Sequence, residues 1–115
     1  SYALCFYDFN VMYSGISKTP LWSAEYLTPD RLSIKIKRED SFHEETRVPL
    51  AHRALLADYR GSGYDRGHMA PNGDMNNTAA QHDSFSLANM VPQSPKNNQE
   101  VWRKLEEAVR SIVTK

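Results

Sequence analysis

Four consecutive residues, Asp65-Arg66-Gly67-His68, bring together side chains that phosphate chemistry uses. An arginine presents a planar fork of donors that matches phosphate oxygens. A histidine has an unperturbed pKa of about 6.5, so its neutral ring accepts a proton near neutral pH. Gly67 allows unusual dihedrals or the close approach of a ligand, and Asp65 is better suited to orienting its neighbours than to reacting. A single histidine is usually a surface or structural residue, so the functional reading rests on the adjacency of the four. His43, His52 and His82 lack such company, and a zinc site at His82 lacks partner ligands.

A second cluster follows in Asn89-Met90-Val91-Pro92-Gln93, then Asn98-Gln99, then Trp102, Leu105 and Glu106. Pro95 starts a helix predicted over residues 97–113, because proline in a first turn costs no intrahelical hydrogen bond. Trp102, Leu105, Val109 and Ile112 form one apolar stripe on it. On a regular helix Asn98 and Glu106 stand about 80° and about 12 Å apart, so both can border one cleft. An amide oxygen with waters is an environment that magnesium accepts. The same spacing also suits Asn97 or Asn98 as a plain helix cap.

These groups need a scaffold. Tyr2 to Phe9 reads as a strand, residues 10–20 as turn chemistry, and Leu21 to Leu27 as a second strand antiparallel to the first. Leu32, Ile34 and Ile36 alternate with polar residues, which predicts a third strand over 32–37. Residues 38–45 are charged and read as an exposed loop, 53–59 as a short helix or turn, and Gly61-Ser62-Gly63 as a break. Asn77 or Thr78 is placed to cap a helix reaching Phe85. Tyr59, Tyr64 and Phe85 are expected in the core. Strands, a loop-rich middle and a helix imply an α+β fold.

The 115 residues suffice for a single domain, 1–115, or the N-terminal portion of one. Fourteen basic residues balance fourteen acidic ones, so attraction to nucleic acid must come from a local cluster and a cation. The six tyrosines, four phenylalanines and two tryptophans argue against disorder, and no apolar run reaches the roughly 20 residues of a membrane span. The single cysteine, Cys5, rules out an intrachain disulfide and is expected to be buried and inert.

Asp65-Arg66-Gly67-His68 with Met69-Ala70-Pro71, Ser86 to Gln93, Asn98-Gln99 and Trp102 to Glu106 together resemble the signature of the DNA/RNA non-specific endonucleases. The likeness runs from about Arg47 to Glu106. It implies a ββα-metal (His-Me finger) core with an antiparallel sheet and the amphipathic C-terminal helix. It further implies a Mg2+-dependent endonuclease acting on DNA and RNA with little sequence preference, with Mn2+ or another divalent cation able to substitute. By position, the resemblance makes His68 the general base and Asn98 the direct metal ligand, with Glu106 holding one of the surrounding waters. Arg47 and Arg66 would contact phosphate and substrate. Asn89 is placed among the catalytic residues, and Asp65, Gly67 and Gln93 support the site.

Family members generally continue past this helix into further strands. The sheet is therefore expected to be incomplete, and a complementary chain, a homo-oligomer or an inhibitor protein are the partners considered. A secreted or periplasmic location is preferred to a cytoplasmic one, with the mitochondrion as an alternative. The competing functional readings are a catalytically silent binding module on the same scaffold and a fragment that needs a second chain.

Overall fold

A computed structural model describes all residues from Ser1 to Lys115. Its first layer is an antiparallel meander of β1 (Tyr2–Cys5), β2 (Phe9–Ser14) and β3 (Thr19–Glu25). Phe9, Val11 and Tyr13 point alternately inward from β2, the period-two pattern of a half-buried strand. They pack with Leu4, Val48, Ala70, Met75, Ala80 and Ala88 into the larger core cluster. The strand expected over 2–9 is thus interrupted: Asp8 takes a left-handed φ of 71° and turns the chain, with Phe6 N donating to Phe9 O at 2.9 Å. The stretch 10–20, expected to be turn, is mostly strand. The alternating Phe9-Asn10-Val11-Met12-Tyr13 outweighs the turn residues, which act only around Lys18.

The strand expected over 32–37 does not form. Its start belongs to α1 (Pro29–Ser33), where the Thr28 hydroxyl caps by accepting from Arg31 N at 3.1 Å and Pro29 occupies the first turn. Leu32 is buried while Ile34 is exposed, so the alternating residues do not share a covered face. A one-turn helix, α2 (Leu56–Tyr59), comes next. Then α3 (Thr78–Ser84) starts where expected, with the Asn77 side chain accepting from Ala80 N at 2.8 Å.

The second sheet is a ribbon of β4 (Asp65–His68) and β5 (Met90–Gln93). Its register pairs Asp65 with Gln93, Gly67 with Val91 and His68 with Met90. The chain then enters a wide π turn, Asn97–Trp102, continued by α4 (Arg103–Thr114). Strand, strand and helix form the ββα unit, and the whole is an α+β fold. Arg110 anchors α4 by donating to the buried Asp74 at 3.0 Å. Leu105, Val109 and Ile112 remain exposed along its stripe, and no helix is long and apolar enough to cross a membrane. Cys5 is exposed, contrary to expectation, because β1 turns that residue outward.

Candidate active site

The ribbon and the helix after it place His68, Arg66, Asp65, Asn98 and Glu106 on one cleft of about 480 Å³. His68 leans edge-on against Phe85, ring centroids 4.7 Å apart, and lies 6.1 Å from Phe42. Burial, aided by the charge of Arg38 and opposed by Asp40, pulls its pKa down to about 3. The ring is therefore neutral across the physiological range. Nε2 is buried and has no hydrogen-bond partner, so Nδ1 is the ring nitrogen left to meet a water. The Arg66 guanidinium lies over the Phe42 ring at 3.8 Å, which holds its plane at the cleft wall.

Asn98 donates its side-chain N–H to Asp65 Oδ2 at 3.1 Å, and Gln99 donates to the same oxygen at 3.1 Å. Asp65 thereby holds the Asn98 amide and leaves its oxygen as the free end. The capping alternative goes instead to Ser94, whose hydroxyl accepts from Asn97 N at 3.3 Å. The π turn alters the phase of a regular helix, yet Asn98 and Glu106 still border one cleft. Burial, opposed by Arg110 and reinforced by Asp74, pushes Glu106 up to about 7.

Two expected catalytic residues need correction. Arg47 does not line the cleft. It donates to Glu45 at 2.9 Å and to the Cys5 carbonyl at 2.8 Å, and covers the Phe6 ring at 4.6 Å. The buried carboxylate two residues upstream captures it. Arg38 stands at the cleft instead, over Phe85 at 5.2 Å and paired with Asp40. It was hidden in the charged stretch 38–45, where sequence offers no reason to single out one cation. Asn89 is 0% exposed, and its amide is fully spent. It accepts from Ala70 N at 2.9 Å and donates to the carbonyls of Ala70 at 3.0 Å and Ser84 at 2.9 Å. It is a positioning residue that clamps the backbone just after His68, with Met69 N also donating to its own carbonyl at 2.8 Å.

Gly67 has an ordinary φ, and its role is space: a Cβ there would strike the Gln93 side chain, not a ligand. Tyr64 is 57% exposed, against the core expectation, whereas Phe85 is fully buried. Tyr59 lies between, with burial pushing its phenol up to about 12. Asn72, which no local pattern singles out, lines the cleft and has a buried Oδ1 that lacks a partner. His43 and His82 stack on each other at 4.3 Å, and His52 Nδ1 bonds Tyr2 Oη at 2.7 Å.

The cleft suits a hard divalent cation. Asn98, Asn72 and Glu106, which carry amide and carboxylate oxygens, line it. No three His, Cys, Asp or Glu side chains cluster as a metal-holding group.

A family model described as DNA/RNA non-specific endonuclease matches residues 1–115. Human mitochondrial endonuclease G is 41% identical over 114 residues, 97% of this chain and 36% of that protein. Nuclease C1 of Cunninghamella echinulata is 41% identical over 110 residues, 91% of this chain and 44% of the relative. The mitochondrial nuclease of Saccharomyces cerevisiae is 38% identical over 112 residues, 94% of this chain and 34% of the relative. The crystal structure of the EndoG/EndoGI complex, which concerns the mechanism of EndoG inhibition, contains a chain that superposes with a TM-score of 0.88 at 30% identity. The match covers 96% of this chain and 47% of that one. The chain thus spans less than half the length of these relatives.

Proposed function

The chain belongs to the DNA/RNA non-specific endonuclease family, and from that membership we propose that the protein hydrolyses phosphodiester bonds of DNA and RNA with little sequence preference. The products carry 5′-phosphate and 3′-hydroxyl ends. The observation that carries this reading is the convergence of a neutral, half-sheltered His68 with Arg66, Arg38, Asn98 and Glu106 on one cleft.

His68 takes a proton from water, and the resulting hydroxide attacks phosphorus in line. Arg66 and Arg38 face the phosphate oxygens and balance the charge that builds on them. Asp65 fixes the Asn98 amide, whose oxygen would hold the metal, and Glu106 on the same cleft would support it through water. The cation is Mg2+, with Mn2+ or another divalent ion able to replace it. When bound, it supplies positive charge beside the phosphate and the leaving 3′-oxygen. Contacts to sugar and phosphate carry no base information, which is consistent with a broad substrate range.

Residues 1–115 act as one nuclease domain or as the N-terminal portion of one. Relatives named as mitochondrial nucleases favour that compartment over secretion or the periplasm. The inhibitor complex of the structural relative makes an inhibitor protein a candidate partner.

The test incubates plasmid and RNA with the protein in Mg2+, in EDTA, and with His68→Ala. Nicking and RNA cleavage should require the cation, and the variant should lose at least about 10²-fold in rate. Undiminished cleavage by His68→Ala would remove this mechanism. Binding with no cleavage in Mg2+ would favour a silent module.

A further inference from the structure

A second hollow of about 490 Å³ adjoins the cleft, with Arg38, Asp65, Arg66 and Asn98 in the walls of both. Its far side carries Arg60 and Tyr64, which do not line the catalytic cleft. Between them Gly61 and Gly63 take left-handed φ values of 69° and 83°, with open space where a Cβ would stand. The turn they permit sets Arg60 and Tyr64 on the same hollow.

The charges there are unequally matched. Arg38 pairs with Asp40, and Asp65 is occupied by the amides of Asn98 and Gln99. Arg60 and Arg66 have no carboxylate partner. Arg66 reaches the catalytic cleft, so the cleavable phosphate can answer it. Arg60, exposed and lining the second hollow but not the cleft, is free to meet a different anion. A nucleic acid strand presents another phosphate at every nucleotide. Beside Arg60, the large exposed ring of Tyr64 has no aromatic partner of its own. Aromatic faces of this kind stack bases without regard to sequence.

We propose that Arg60 and Tyr64 form a subsite for the nucleotide adjacent to the scissile bond, Arg60 holding its phosphate and Tyr64 stacking its base. The inference rests on the nuclease reading and adds a preference to it. A base can lie on Tyr64 only after leaving the duplex stack, so the subsite favours single-stranded or locally opened substrate.

The experiment compares the whole parent protein with Tyr64→Ala, Tyr64→Phe and Arg60→Gln. Binding of a short fluorescein-labelled single-stranded DNA is read by anisotropy in EDTA. Kinetics in Mg2+ are read on the same oligonucleotide and on bis(4-nitrophenyl) phosphate, which has no adjacent nucleotide. Tyr64→Ala and Arg60→Gln should each weaken binding and raise KM roughly tenfold, with kcat and turnover of the small diester unchanged. Tyr64→Phe should retain parental affinity, and Arg60→Gln should reduce the salt slope of binding by about one. Unchanged oligonucleotide affinity in both variants would overturn the subsite, as would an equal loss on the small diester. If the parent cleaves nothing but binds the oligonucleotide more tightly than both variants do, the nucleotide contact at Arg60 and Tyr64 stands while the nuclease reading, and with it the place beside a scissile bond, falls. If the parent neither binds nor cleaves, both fall.

Discussion

The meander β1–β3 and the ribbon β4–β5 are both antiparallel, yet they satisfy their polar groups differently. On the meander side, the buried carboxylate of Glu45 receives Arg47 at 2.9 Å and Ser86 at 3.0 Å, and the Tyr13 hydroxyl donates to the His52 carbonyl at 2.8 Å while accepting from Ala54 N at 3.0 Å. On the ribbon side, the three buried side-chain atoms without a partner are His68 Nε2, Asn72 Oδ1 and Gln93 Oε1, on the ribbon strands or at the cleft. Satisfying a buried polar atom is worth about 1–3 kcal/mol, so these three positions are where the ribbon and cleft differ most from the closed networks beside the meander. The difference teaches where closure matters: the meander side binds its buried polar groups to one another, whereas the ribbon side brings polar side chains to a cleft.

Exchanging the two kinds of residue tests this contrast most strongly at His68 and Asn89. His68→Ala should cut the rate by about 10²–10⁴-fold with little change in melting temperature. Asn89→Ala should do the reverse in stability. It strips three hydrogen bonds from a buried backbone, and about 3 kcal/mol should be lost in urea unfolding. Comparable destabilisation by both variants would erase the distinction.

The two arginines give the next largest effect. Arg38→Ala should lower kcat/KM by about tenfold or more, as the removal of one charge-stabilising group does. Arg47→Ala should leave kcat/KM near the parental value while destabilising by about 1 kcal/mol, since its guanidinium is half exposed and Glu45 keeps Ser86. Steady-state kinetics paired with thermal melts would separate them, and a rate loss confined to Arg47→Ala would return that residue to the site.

The smallest effect is one of pH. Burial raises the Glu45 pKa, but hydrogen bonds from Arg47 and Ser86 outweigh it and leave the carboxyl below its ordinary value. A folded pKa below the unfolded one means stability that is present above the unfolded pKa and is lost as pH falls through the folded value. Glu45→Gln should therefore flatten the acid limb of a melting-temperature profile. A profile as steep as the parent's would show that other carboxylates govern acid unfolding.

Several of these roles could be anticipated from local pattern. The Asn77 cap and the apolar stripe of α4 follow from short-range backbone chemistry, which survives in any tertiary setting. So does the alternation in β2, although turn residues around it obscured it. The period-two stretch at 32–37 misled for the opposite reason: alternation describes a strand only if another strand pairs with it, and there the Thr28-Pro29 cap forms a helix first. The exposed apolar residues of α4 cannot be foreseen from a stripe, since periodicity says which residues share a face and nothing about what covers it.

By itself, then, the order of residues determined the kind of chemistry: a base, an arginine fork, an amide and a carboxylate in words short enough to read directly. Tertiary structure decided which of these groups share a cleft. Arg38 and Arg47 have the same charge and lie nine positions apart (47 − 38) in one polar stretch, so local sequence cannot rank them. Only the buried Glu45 that captures one, and the packing of Phe85 that brings the other beside His68, separates them. Side-chain identity is a local property, whereas proximity between distant residues is set by how the sheets and helices close on their cores.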